Sequence, residues 1–280
     1  QHAVDAGSMA PPRRLDLLRD LRDDPSATSA DLCLVAAEMA EIRLGNGSPD
    51  KAALSLYRDI RRLEARGGSP PPRLLVLLAR AQRDQYRHET AIDLLRSALR
   101  LTDAADPLRG EALVLLGDAE AHRGRFEQAL EAFDDATRDY PASPSMLAAI
   151  AGRGRMADAL GDPERAVRDF EEVIRRLQRG DRHPDVSITL MEEILLDRFE
   201  SALTQSETDH ALALARLAGD LRPAEERSVR VNMARAVGAG QVAAEQEAQL
   251  GSSGEEDPTL DREEASRTIR GLHAEAGDAY

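Results

Sequence analysis

Residues Gly110–Ser143 read GEALVLLGDAEAHRGRFEQALEAFDDATRDYPAS. Spacings of three and four put residues on one side of a helix, and two such faces are written here back to back. Leu113, Leu116 and Gly117 share one face of a first helix, and Ala129, Phe133 and Ala136 share one face of a second. Gly124 stands between them, where a tight reversal needs backbone freedom. Pro141 stops the second helix, because proline cannot continue it. Gly117 and Ala129 carry almost no side chain, so the two helices can cross closely, and Phe133 fills the space beside the crossing. The stretch therefore predicts an antiparallel helix pair.

The same plan recurs on both sides. A short amphipathic helix starts at Pro11, and SADLCLVAAEMAEIRLG, Ser29 to Gly45, follows at helical spacing. Its partner begins at Asp50, with Ala53, Tyr57 and Ile60 at the small, large and apolar positions. In the second pair Leu75, Leu78 and Ala79 mark the first helix, and Ala91, Leu95 and Ala98 the second. In the fourth, Ile150, Gly154, Gly161, Ala166, Phe170 and Val173 fall in the same places, with Pro163 at a first helical position. A fifth pair has a divergent first helix, and Ala211, Ala215, Ala218 and Pro223 in its second. A weaker sixth pair comprises AEERSVRVNMARAVGAG and VAAEQEAQL. The expected organisation is a lead-in over 1–10 (a cloning remnant or a disordered segment), a repeat domain over 11–250, a linker over 251–258 and a helix over 259–280. Gly277 to Tyr280, GDAY, echoes GDAE at Gly117 to Glu120, so the expectation is that the chain stops inside a further repeat and the native protein continues.

Length and composition narrow the class. The 280 residues are 42% hydrophobic but only 3% aromatic, without tryptophan, and Ala, Leu and Arg suit helix throughout. Lys51 is the only lysine, which reads as a GC-rich genome rather than a binding signal. A net charge of −14 argues against non-specific nucleic-acid binding, which needs a basic face. Cys33 is alone, so an intrachain disulfide and a cysteine-rich zinc site are both excluded. No apolar run is long enough to span a membrane, and no signal peptide is visible.

Gly110–Ser143 resembles the tetratricopeptide repeat, whose unit is about 34 residues. Two positions depart from the family pattern: Leu113 stands where the family often has Trp, and Glu120 where it often has Tyr. The resemblance implies an all-α solenoid of stacked antiparallel helix pairs, wound as a right-handed superhelix with first helices lining a concave face. It also implies a non-enzymatic scaffold that binds a protein or peptide in that groove. Alternatives are a structural spacer or self-associating solenoid of the bacterial envelope, with homo-oligomers, or the regulatory portion of a larger protein. The run from Asp139, DYPASPS and the helix pair after it, is similar to repeats of outer-membrane assembly lipoproteins and Tol–Pal coordinators. That leaves the envelope and the cytoplasm equally open.

Catalytic and cofactor motifs are weak by comparison. Gly238-Ala-Gly240-Gln-Val-Ala243 fits GxGxxA formally, but the dinucleotide fingerprint needs a preceding strand and a helix precedes it here. Glu207-Thr-Asp-His210 has no second Glu-x-x-His, so it reads as a helix start with acids at its positive end. His88, His122, His183 and His273 lack ligand spacing, and Cys33 lies on an apolar face. Neither a catalytic residue, nor a cofactor, nor a metal is expected.

The family's ligand-contacting positions, carried onto this chain, select Arg73, Val76, Arg80, Arg83 and Asp84 in the second pair. They select Glu111, Val114, Asp118, Ala121 and His122 in the third, and Ala148, Ala151, Arg155, Asp158 and Ala159 in the fourth. The Lys and Asn of the carboxylate clamp for chaperone C-termini are absent. The candidate groove is Arg73, Arg80, Arg83, Glu111, Asp118, His122, Arg155 and Asp158, in which Arg80, Arg83 and Arg155 offer bidentate forks to a partner's carboxylates.

Overall fold

The computed structural model describes residues 11–24, 26–223, 226–238 and 240. Among these the regular elements are helices, and the one β feature is an isolated bridge between His183 and Val186. In chain order they are α1 (Pro11–Asp23), α2 (Ser29–Gly45), α3 (Pro49–Glu64), α4 (Pro72–Arg83), α5 (His88–Leu101), α6 (Leu108–His122), α7 (Phe126–Asp139), α8 (Met146–Ala159), α9 (Pro163–Arg179), α10 (Ile188–Thr204) and α11 (Thr208–Asp220). A further helical stretch covers 229–238. The lead-in over 1–10, the second helix of the sixth pair, the linker over 251–258 and the segment over 259–280 lie outside the described residues.

One turn is used five times. Two residues before each second helix the backbone is left-handed: Gly47 (φ 65°), Tyr86 (φ 59°), Gly124 (φ 72°), Gly161 (φ 78°) and Ser206 (φ 61°). The next residue donates its N–H back five positions, from Ser48 to Arg43, Arg87 to Gln82, Arg125 to Glu120, Asp162 to Ala157 and Glu207 to Ala202, at 2.9–3.0 Å. This is the Schellman closure, which satisfies carbonyls that a helix end leaves unpaired. The carbonyl of that same residue then accepts from the small residue of the second helix: Ala52, Ala91, Ala129, Ala166 or Ala211. Each of these alanines is 0% exposed. They sit where second helices cross first ones, and anything larger than a methyl would push the helices apart.

Helix starts are specified locally as well. Thr28 and Asp31 form a reciprocal capping box at α2. The Asp162 side chain accepts from the Arg165 N–H at α9, and Ser187 accepts from Leu190 at α10. Proline opens α3, α4 and α9, where its missing N–H costs nothing.

The described residues belong to two compact units, whose boundary in sequence follows Met156, within α8. In the first, α2/α3, α4/α5 and α6/α7 form pairs, and each second helix packs on the next first helix, α3 on α4 and α5 on α6. Their core runs continuously from Leu32 through Leu56, Leu78 and Leu95 to Ala119. Leu15 and Leu18 dock α1 onto Val35, Met39 and Ile42 of α2. Phe133 of α7, 1% exposed, lies between two glycines. A Cβ at Gly117 of α6 would stand 2.8 Å from its ring, and one at Gly152 of α8 only 2.4 Å. Both glycines are therefore cavities for that ring. In the second unit α10 pairs with α11, and α11 also packs on α9. A Cβ at Gly238 would meet the Leu212 side chain at 3.3 Å, so that glycine lies in a helix packed on α11.

One expectation is corrected. The crossing positions of α3 are Ala52, Leu56 and Asp59, not Ala53, Tyr57 and Ile60: Leu56 is 0% and Asp59 4% exposed, while Tyr57 is 42% exposed. The turn sets the phase, since the crossing alanine stands five residues after the left-handed one in all five pairs. Asp59 thus occupies a place that Ala98, Ala136, Val173 and Ala218 fill elsewhere. It accepts from the Ser55 hydroxyl at 3.2 Å, and burial pushes its carboxyl pKa up, against Arg22, that hydrogen bond, Arg43 and Arg58.

Candidate functional site

The candidate residues lie on first helices, and most are already tied to neighbours. Arg73 of α4 pairs with Glu41 of α2. Arg83, at the end of α4, bonds Asp84 at 3.0 Å and Asp118 of α6 at 3.2 Å, and is 14% exposed. Successive first helices of the first unit are thus laced by ion pairs. The same device recurs in the second unit, where Asp158 accepts from Arg198 of α10 at 3.1 Å and meets His210 of α11 at 2.8 Å. Glu111, at the first turn of α6, is half-buried and engaged.

Two of the candidate arginines are different. Arg80 and Arg155 are half-buried and have no hydrogen-bond or ion-pair partner among the described residues. Arg80 Nε is fully buried and unsatisfied. An unmade bond on a buried guanidinium donor is costly and marks a place for an acceptor.

His122 ends α6, exposed, and its Nδ1 lies 2.9 Å from the Asp118 carbonyl oxygen. Its ring stacks on His88, which begins α5, with centroids 4.6 Å apart and planes at 29°. Tyr86 meets His88 edge-on at 6.3 Å. In sequence these histidines stand apart, without ligand spacing. Their separation of one repeat length was the available signal, because a stack of pairs brings such positions to neighbouring helices.

Glu120, where the family often has Tyr, is an anchor for two arginines. It is 2% exposed and held by Arg96 at 2.8 Å and Arg125 at 3.0 Å, and Arg125 continues to Glu89 at 2.8 Å. The Glu207–His210 motif serves the start of α11, with His210 turned onto Asp158. Cys33 is partly buried against the first unit's core, and burial pushes its thiol pKa up.

The second unit carries two clefts, at opposite ends of the seam between α9 and α11. One, about 760 Å³, is lined by Glu164, Arg168, Glu207 and Asp209 among others. The other, about 740 Å³, is lined by Arg175, Arg216, Asp220 and Arg222 over Ile174 and Leu217. Both are rimmed by charges of both signs, the pattern of a solvated helix face. Among the described residues no three His, Cys, Asp or Glu side chains converge as metal ligands, and no helix is long and apolar enough to cross a membrane.

Comparison with known proteins agrees with this architecture. Residues 76–144 match the family model for the tetratricopeptide repeat. Those residues run from α4 to the turn after α7, so the match covers two of the pairs described above. No curated protein matches the sequence. Among solved structures, Pseudomonas aeruginosa PilF is similar with a TM-score of 0.55 at 14% identity, covering 90% of this chain and 93% of its own. The C-terminal part of a repeat-containing protein from Cytophaga hutchinsonii is similar with a TM-score of 0.55 at 12% identity, covering 96% and 94%. A tetratricopeptide repeat protein from Parabacteroides merdae gives 0.53 at 14%, covering 95% and 92%. At such identities the likeness shows the fold alone: stacked antiparallel helix pairs of the tetratricopeptide kind.

Proposed function

We propose that this chain is a non-enzymatic scaffold that binds a protein or peptide partner on the face made by its first helices. The partner presents carboxylates there to Arg80 and Arg155. The observation that carries this reading is the buried, unsatisfied Nε of Arg80, on a guanidinium without a partner among the described residues. A bidentate carboxylate would satisfy it with two charge-assisted bonds. Arg73, Arg83, Asp118 and Asp158 act in this reading as the laced framework rather than the contacts, because their charges are already paired.

The test is a pull-down from the source organism's lysate, read by mass spectrometry, with the chain as bait. The Arg80→Ala, Arg155→Ala double variant should lose the partner, and Arg66→Ala, on an exposed turn, should keep it. Equal capture by all three would remove the two arginines from the account. A second reading, self-association, draws on Leu54 and Tyr57, one turn apart on α3 and 62% and 42% exposed. A mass in light scattering that rises with concentration, and falls back in Leu54→Glu, would favour it.

A further inference from the structure

We infer that residues 265–276 of this chain fold back as an amphipathic helix onto an apolar ladder made by Val229, Met233 and Val237. The ladder lies on the helical stretch over 229–238. Its three side chains are 75%, 53% and 43% exposed. Spacings of four put them on one side of the helix, about 12 Å from end to end. That side points away from α11: Val231 and Ala234, 1% and 5% exposed, and Gly238, against Leu212, take the packed side. The free side of a surface helix is ordinarily polar. Single apolar residues there mean little, but a row of three marks a place for a partner, and helix-in-groove docking reads such a row.

Further along the chain stands an occupant. Ala265, Ile269, Leu272 and Ala276 recur at spacings of four, three and four, which makes an apolar stripe about 16 Å long on a helix. Glu263 and Arg267 fall opposite the stripe. Arg262, Arg270 and His273 border it on one side, and Glu264 and Glu275 on the other.

The ladder has a matching border. Arg230, beside Val229, is shared by Asp197 and Glu200 of α10 at 3.6 and 3.0 Å, which leaves one exposed carboxylate in excess on that side. Bringing the basic border of the stripe to that excess sets the two helices antiparallel. An antiparallel return suits the connection, because residue 265 then has only to come back beside the 237 end, and residues 241–264 span that gap. A tether of this kind raises the local concentration to about the millimolar range, so an interface too small to hold two separate chains holds within one. The contact is independent of Arg80 and Arg155 and stands whether or not they bind a partner.

The chain has no tryptophan, so one introduced into the full chain reports alone. Leu272→Trp should emit at shorter wavelength than Arg267→Trp and be quenched by acrylamide at least about threefold less, because docking takes the stripe out of water and leaves the opposite side wet. Adding Met233→Glu should expose the tryptophan at 272 again, with the circular dichroism of the parent. In the reverse arrangement, Met233→Trp should be shielded, and Ile269→Ser should remove the shielding. Neither difference should change on dilution, since the tether sets the local concentration. Equal quenching of Leu272→Trp and Arg267→Trp would overturn the inference. So would shielding at 272 that survives Met233→Glu, which would put the segment elsewhere, or shielding lost on dilution, which would put it on a second copy.

Discussion

Tyr86 and Ser206 hold the left-handed conformation that Gly47, Gly124 and Gly161 adopt in the matching turns. A side chain there costs about 1 kcal/mol, partly offset by the greater chain entropy of glycine in the unfolded state. Tyr86 is 83% exposed, so its ring contributes little packing. Tyr86→Gly should therefore stabilise the protein by about 0.5 kcal/mol, raising Tm by about 1–2 °C in a calorimetric scan. The opposite is expected at Gly152, where an added Cβ would stand 2.4 Å from the buried Phe133 ring. Gly152→Ala should cost about 1–3 kcal/mol in urea unfolding, the range for overpacked cores. The double variant Gly152→Ala, Phe133→Leu should lose less than the two single changes added together, because the smaller side chain clears the clash.

At the scale of the helix, α5 and α3 carry ionisable groups whose shifts run in opposite directions. His88 has a lowered pKa in the folded chain, with burial the main cause. The unfolded chain then binds more protons in the window below its ordinary value, so the stability His88 contributes is present above about pH 6.5 and is lost as pH falls through the folded value. Between pH 7.5 and 5.5 the Tm of His88→Gln should fall less than that of the parent. Asp59 has a raised pKa, again mainly through burial. Its contribution is greatest below the ordinary carboxylate value and is lost as pH rises through the folded one. Asp59→Asn keeps an acceptor for Ser55 and removes the buried charge. It should raise Tm at pH 7.5 and change it little at pH 3.5. Asp59 also marks the limit of reading this helix from sequence. The doublets Ala52–Ala53 and Leu56–Tyr57 fit two phases equally well, and only the turn, fixed by Gly47, chooses between them. In α5 and α7 only one phase fits, and Ala91, Leu95 and Ala98 and Ala129, Phe133 and Ala136 are buried as their spacing requires. The ion pairs were less legible. Arg83 and Arg80 look alike as letters, and which one meets a carboxylate depends on where Asp118 lands from the next pair. Glu120 looked out of place until Arg96 and Arg125 came to it from two different elements.

For the whole molecule, the boundary after Met156 divides the chain into two compact units. Nearest-neighbour packing makes the stability of stacked pairs roughly a sum of pair and interface contributions. A fragment of residues 1–156 should therefore remain helical and unfold cooperatively on its own, by circular dichroism, without the rest of the chain. Loss of its helical signal at room temperature would show that the first unit needs the second. Phe133 gives the first unit a further property. Its ring belongs to α7, yet the hollows that receive it are cut into α6 of its own pair and α8 of the next. A tooth and two notches on three helices form an inherited lock. Copying or deleting α6 and α7 alone would leave either a tooth without its second notch or a notch without its tooth. The segment that genetic duplication can move intact is therefore not the helix pair but the pair together with the helix that follows it, so new copies at this point in the stack would have to arrive with an overlap.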